Sequence, residues 1–168
     1  MALIVEDGTL VEGATSFVSV AEIRAYAAAR GRTVPAEDAP GDTKIEQAAI
    51  VAMDFIQALA TRFAGSFTYD GQYLPFPRYG MRVGGVYLAK DAIPEDIKRA
   101  QIELALAVLD GIDIMPTLDG AEVKREKVGP LETEYVTGTA RGNAPIVERA
   151  MALLRPYFAT ISLRTVRA

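Results

Sequence analysis

The stretch TKIEQAAIVAMDFIQALATRF, residues 43–63, carries the clearest helical pattern in the chain. Apolar residues recur along it at steps of four and three, which is the spacing of one face of an α-helix. Thr43 and Glu46 have the spacing of a capping box, so the sequence predicts that this helix starts at Thr43. The predicted inward stripe consists of Ile45, Ala49, Ala52, Ile56, Leu59 and Phe63. A stripe of about five turns predicts a core helix.

Three other segments show helix signals. Ser19 and Glu22 form a capping box at the start of the first, and Gly31 closes it. In IPEDIKRAQIELALAVLDG, residues 93–111, Pro94 suits the first turn and the final glycine is a stop signal. A last helix runs from about 144 to 155, with Pro156 at its end. The fold class predicted is mainly α: a small antiparallel bundle of about four helices, with one β-hairpin and extended N- and C-terminal arms.

The hairpin is predicted in EVKREKVGPLETEYV, residues 122–136, where the apolar period changes from helix to strand. A two-residue turn at positions 129 and 130 would place Lys127 opposite Glu132 and Arg125 opposite Glu134. The basic residues of this hairpin either pair with those glutamates or present charge to a partner: Lys124, Arg125 and Lys127.

Composition excludes several classes of protein. The 168 residues fit one domain, and half of them are hydrophobic, so the chain should fold. It has 18 Lys and Arg against 22 Asp and Glu, and the net charge of −4 argues against a general nucleic-acid binder. It has no cysteine and no histidine, which removes disulfides, thiolate zinc sites and the usual general base. No signal peptide or membrane span is predicted, and a soluble protein made in a cytoplasm is expected.

No enzymatic motif stands out. The carboxylate pairs lie in loops or in first helical turns, where acids favour the helix dipole. The glycines near residue 84 lack the spacing of a phosphate loop or of a dinucleotide fingerprint. We therefore predict no catalytic residue, no cofactor and no metal.

The loop YLPFPRYGMRVGGVYL, residues 73–88, combines turn-forming residues with aromatic rings and arginine. Three interpretations stay open: packing onto its own core, contact with a neighbouring protein, and stacking on single-stranded bases. Its candidate contact residues are Phe76, Arg78, Tyr79 and Arg82. The tail ISLRTVR, residues 161–167, either adds a strand to another subunit or is the last strand of its own domain. Its candidate contact residues are Ile161, Leu163 and Arg164.

Four segments together resemble the head–tail connector (adaptor, or neck) proteins of tailed bacteriophages, a family sometimes labelled DnaT-like ssDNA-binding. They are MALIVEDGT with the helix that follows it, LPFPRYG, IPEDIKRAQIELAL and VKREKVGPLETEY. Many relatives carry a tryptophan before the Pro-Arg pair, where this chain has Phe76. The resemblance runs from Met1 to about Phe158 and is weakest in the tail.

The resemblance implies a structural virion protein in the particle's neck, synthesised in the bacterial cytoplasm. Its subunits would form a ring, a dodecamer, beneath the portal protein and would bind a tail or head-completion protein. Channel DNA would pass through without sequence-specific binding, and no membrane would be involved. Residues 1–158 would form the connector domain and residues 159–168 a C-terminal arm. The alternatives are a single-stranded DNA-binding protein and a small enzyme of unrecognised type.

Overall fold

The computed structural model describes residues 3–115, 126–128, 131–133 and 144–159. Its helices are α1 (Val20–Ala29), α2 (Ala39–Ala58), α3 (Glu95–Leu109) and α4 (Ala144–Leu154). α3 is central, because it packs against α2 and α4 and also touches α1. The predicted mainly α domain of about four helices is confirmed.

The ends of α1 follow the sequence signals. Ser19 Oγ accepts a hydrogen bond from the amide of Glu22, and the Glu22 carboxylate accepts one from the amide of Ser19. Gly31 follows the last turn with a φ of +64°. The amide of Gly31 donates to the carbonyl of Ala28, and the amide of Arg32 donates to the carbonyl of Ala27. These two bonds form a Schellman ending, which a residue without a Cβ favours.

The predicted start of α2 is wrong. The helix begins at Ala39, four residues before Thr43, and its N-cap is Asp38. The Asp38 carboxylate accepts a hydrogen bond from the amide of Gly41 at 2.6 Å, and Pro40 lies in the first turn. Thr43 is inside the helix, where its hydroxyl donates to the carbonyl of Ala39. An aspartate cap followed by proline gave a start signal that the Thr43–Glu46 spacing obscured.

The core surrounds α2 and α3. Most of the predicted α2 stripe is buried, whereas Leu59 is half-buried. α2 ends at Ala58, and a 3₁₀ turn (Ala60–Arg62) precedes Phe63, so the helix is shorter than the stripe suggested. Every residue of α3 from 100 to 107 is buried. A helix enclosed on all sides is the centre of a bundle.

One buried amide joins three parts of the chain. Gln101 of α3 has no exposed surface. Its Oε1 accepts from the amide of Phe17 at 2.9 Å, and its Nε2 donates to Ser16 Oγ at 2.8 Å and to the carbonyl of Ala49 at 3.0 Å. The amide thereby fastens the N-terminal segment and α2 to the central helix, with its hydrogen-bonding groups satisfied as burial requires.

The N-terminal segment, residues 3–18, lies against the helices. Val5 forms an isolated parallel bridge with Ser16. Glu6 is buried, and its carboxylate accepts hydrogen bonds from the amides of Gly8, Leu10 and Val11. These bonds shape the turn that brings the segment back to the start of α1.

Three antiparallel ladders of two strands each occur in the described residues. They are β1 (Ser66–Phe67) with β2 (Arg78–Tyr79), β3 (Arg82–Val83) with β4 (Val86–Tyr87), and β5 (Glu126–Val128) with β6 (Leu131–Thr133). Residues 73–88 are predicted to be a loop; the structure corrects this, because the segment contains the short strands β2, β3 and β4. Gly84 and Gly85 take φ of +57° and +88°, values that a two-residue hairpin turn needs and that glycine supplies without strain.

The hairpin β5–β6 has the predicted register. Lys127 is the backbone partner of Glu132, and Val128 is the partner of Leu131. The second predicted pair, Arg125 with Glu134, lies outside the described residues, as does Lys124.

The C-terminal end of the described chain packs beside the end of α2. After α4, Pro156 lies in a 3₁₀ turn (Arg155–Tyr157). Phe158 forms an isolated bridge with Phe63, and the amide of Ala159 donates to the carbonyl of Arg62 at 2.8 Å. The tail candidates Ile161, Leu163 and Arg164 lie outside the described residues. Within the described ranges, no helix is long and apolar enough to cross a membrane.

Candidate interaction surface

The first half of the 73–88 loop is part of the core, since residues 74–78 are all buried. The Phe76 ring makes edge-to-face contacts with Phe17, Phe63 and Tyr157, at centroid distances of 6.2, 5.0 and 6.2 Å. Contacts of this geometry add to the energy of burial. Of the open interpretations, packing onto the protein's own core therefore describes Phe76.

Arg78 is also buried, and it binds backbone rather than acid. Its guanidinium donates to main-chain carbonyls of the 3₁₀ turn, of the chain after it and of the loop itself: Ala60, Phe63, Ala64, Gly65 and Pro75. Burial lowers the pKa of Arg78 from its usual value. The arginine thus satisfies carbonyls of the 3₁₀ turn, of the chain that follows it and of the loop, which is a structural task.

Exposed aromatic rings gather in the neighbouring strands and loops. Of the eight large hydrophobic side chains exposed in the described chain, five lie between residues 67 and 87. They are Phe67 (47% exposed), Tyr73 (74%), Tyr79 (65%), Val86 (68%) and Tyr87 (70%). Single exposed apolar residues need no explanation, whereas five of them within one stretch of the chain make that stretch a candidate interaction surface.

The 82–87 hairpin, comprising β3, β4 and the two glycines between them, is a defined platform. Arg82 pairs with Tyr87 across the ladder, and its guanidinium lies 5.7 Å from the centre of the Tyr87 ring. Arg82 Nε donates to the carbonyl of Gly85 at 2.8 Å. Below the hairpin, Met81 is fully buried and its carbonyl accepts from the amide of Leu88. The hairpin therefore has an anchored base and an exposed apolar and cationic tip.

Charge is unevenly distributed along the chain. Residues 3–115 contain ten Lys and Arg against sixteen Asp and Glu, so the whole acidic excess lies in this part and the rest of the chain has a small basic excess. Between residues 60 and 91 the balance reverses, with four cations against two acids, although the Arg78 cation is buried. The cations that remain near the exposed rings in sequence are Arg62, Arg82 and Lys90. The aromatic region thus carries mild positive charge on an acidic domain.

A polar cluster around Glu103 joins three helices. Glu103 of α3 is buried, and its carboxylate accepts from the Tyr26 hydroxyl at 2.8 Å and from Arg149 of α4 at 3.4 Å. Arg32 lies 3.6 Å from the same carboxylate and also binds Asp110. Burial, followed by the hydrogen bond to Glu103, raises the pKa of Tyr26. The cluster holds α1 and α4 against α3.

Features of a catalytic centre do not appear in the described residues. No group of three or more acidic side chains there could hold a metal ion. A surface pocket of about 340 Å³ is lined by Thr61, Arg62, Phe158 and Ala159, with the Arg62 guanidinium 4.6 Å from the Phe158 ring centre. Its lining offers neither a nucleophile beside a base nor a pair of carboxylates.

The structure divides the predicted loop candidates. Phe76 and Arg78 are buried, whereas Tyr79 and Arg82 are exposed. Sequence reasoning missed Phe67, Val86 and Tyr87. For the last two a signal was present, because a Gly-Gly pair between alternating residues is a two-residue hairpin signal. Lys127 has a defined backbone position in β5.

The whole chain, residues 1–168, matches a family model described as "Putative DnaT-like ssDNA binding protein". This description favours the single-stranded DNA-binding alternative and says nothing of a phage connector. No curated protein and no solved structure matched the chain.

Proposed function

The chain belongs to this DnaT-like ssDNA-binding family, and we propose that within it the protein is a structural subunit, the head–tail connector of a tailed bacteriophage. In this role its copies assemble into a ring beneath the portal, extend the DNA channel and carry the tail-attachment platform. The observation that carries the proposal is the exposed apolar surface at residues 67–87 on a domain with an acidic excess.

That surface suits a protein partner. Tyrosine and arginine are enriched at the energetic centres of protein interfaces, and the 82–87 hairpin presents both on an anchored base. The acidic excess of residues 3–115 suits a channel through which DNA passes, because like charge disfavours tight binding to phosphate. The resemblance of four sequence segments to connector proteins gives this assembly its specific form.

Single-stranded DNA binding is the second candidate, and the family description supports it more directly than it supports a connector. The exposed rings of Tyr73, Tyr79 and Tyr87 offer flat surfaces on which bases stack. Arg62 and Arg82 could each contact a phosphate. Three exposed cations around residues 60–91 are few for this purpose, because affinity for nucleic acid rises with the number of phosphates neutralised.

One experiment separates the two functions. The purified chain is studied by light scattering alone and after mixing with the portal of its phage, and complexes are imaged. Its affinity for a labelled oligo-dT is measured from about 50 to about 200 mM salt. We expect a ring on the narrow end of the portal and weak binding of oligo-dT.

A protein that ignores the portal and binds oligo-dT tightly at low salt would reject the connector and support the DNA-binding function. A chain truncated after Ala159 tests the proposed C-terminal arm. It keeps the contacts of Phe158 and Ala159 with the end of α2, so loss of portal binding would then report on residues 160–168 rather than on folding.

A further inference from the structure

The proposed ring requires two different faces on each copy, and the structure offers a pair that match. Resting on that proposed function, we propose that the 82–87 hairpin of one copy binds the outward face of α2 in the next copy. In this contact Tyr87 packs against Val51 and Ala58, and Arg82, which pairs with Tyr87 on the same face of the ladder, lies against Asp54. The partner is a second copy of this chain.

The outward face of α2 is defined by four exposed residues at steps of four, three and four: Gln47, Val51, Asp54 and Ala58. This spacing puts them on one stripe of the helix. Val51 is among the eight large hydrophobic side chains that the described chain exposes, and Ala58 adds a small apolar surface. Asp54 has no hydrogen bond or ion pair to any other residue in the described ranges.

The hairpin is complementary to that stripe in apolar surface and in charge. Tyr87 supplies apolar surface, and Arg82, on the same face of the ladder, supplies a cation whose Nε donates to the carbonyl of Gly85. No carboxylate in the described part of the chain pairs with Arg82. In that part of the chain, a cation without a carboxylate partner thus matches an anion without a cationic partner, each beside apolar surface, and such matching sets the register of an interface.

Within one copy, α2 and the 82–87 hairpin are not in contact. The two surfaces can therefore meet only between copies. Because they are different surfaces, the contact is head-to-tail, and repeating it about an axis closes a ring when the rotation allows. This assigns a subunit interface to α2, for which the sequence alone indicated none, and to a hairpin of which the sequence indicated only Arg82.

Cysteine cross-linking tests the contact against a clean background, because the natural chain has no cysteine. Tyr87→Cys and Val51→Cys chains are mixed under mild oxidation, and disulfide-linked dimers are followed on non-reducing gels. The matched control replaces Tyr87→Cys by Tyr73→Cys, since both positions are similarly exposed tyrosines. We expect the mixture with cysteines at positions 87 and 51 to form dimers at least about tenfold faster than the control mixture. Equal rates would overturn the proposal.

Charge exchange gives an independent readout. Arg82→Glu or Asp54→Arg alone places like charges in every contact, and each should weaken self-association about tenfold or more. Mixing the two variants restores opposite charges in every head-to-tail contact, so we expect self-association to return towards the natural level. Failure of the mixture to recover, with both chains folded by circular dichroism, would also overturn the proposal.

The outcomes separate this interface from the connector function. Rings on the portal without cross-links between positions 87 and 51 would reject the interface and leave the connector standing. Cross-links without portal binding would support the interface and reject the connector.

Discussion

At the scale of single residues, Arg78 has the clearest energetic role. We expect Arg78→Met to lower the free energy of unfolding by about 2–4 kcal/mol, because several buried carbonyls would lose their donor at once. The measurement is urea unfolding at neutral pH. The matched control is Arg82→Met, which removes an exposed guanidinium nearby and should change stability by no more than about 0.5 kcal/mol. Equal losses in the two variants would contradict the role assigned to Arg78.

The burial of Phe76 and Arg78 could not be predicted from the local sequence pattern. Their segment has the composition of a recognition loop, and nothing within it says which way it faces. Burial depends on Phe17, Phe63 and Tyr157, which reach the loop from three distant parts of the chain. Such contacts are set by tertiary packing, so the sequence left core packing and partner contact as open alternatives.

At the scale of elements, the start of α2 yields a direct comparison of two candidate caps. Asp38→Ala removes the side chain that accepts from the Gly41 amide, and we expect a loss of about 1 kcal/mol in the free energy of unfolding. Thr43→Ala should change stability by less than about 0.5 kcal/mol, because Thr43 is inside the helix and alanine is the better helix former. Denaturant unfolding of both variants decides between the caps, and a larger loss for Thr43→Ala would restore the sequence-based start.

Elements whose signals are local were predictable. The capping box of Ser19 and Glu22 and the pairing of Lys127 with Glu132 depend on residues within a few positions of each other. The ladder of β1 with β2 was not predictable, since Phe67 and Arg78 lie eleven residues apart and each strand has two residues. Strands this short leave no period to recognise. The sequence therefore predicted only part of the exposed surface of the candidate site, namely Tyr79 and Arg82.

At the scale of the whole molecule, the buried phenol of Tyr157 gives stability a dependence on alkaline pH. Burial, followed by the charge and hydrogen bond of Asp96, raises the pKa of Tyr157 to about 12. The folded state therefore holds this proton more tightly than the unfolded state, whose tyrosine has a pKa of about 10. The stabilising effect is complete below about pH 10 and is lost as pH rises towards about 12.

Tyr157→Phe tests this dependence, because phenylalanine cannot ionise. From about pH 10 to about pH 12 the variant should lose less free energy of unfolding than the natural chain, as measured by urea unfolding at each pH. Tyr73→Phe, at an exposed position, is the control and should follow the natural chain. A natural-like decline in Tyr157→Phe would show that the phenol does not contribute.

The buried amide of Gln101 has a consequence for alignment rather than for strength. A helix that slid along its neighbour by one turn, about 5.4 Å, would keep much of its apolar contact, because one alanine or leucine side chain would replace another in the hydrophobic interface. The amide would not survive such a slip, since its bonds to Phe17, Ser16 and Ala49 would all be broken in an environment without water. Gln101 thus fixes the position of α3 along its neighbours, which interchangeable hydrophobic contacts alone would not do. It destabilises the shifted arrangements that an all-apolar bundle of this size would tolerate.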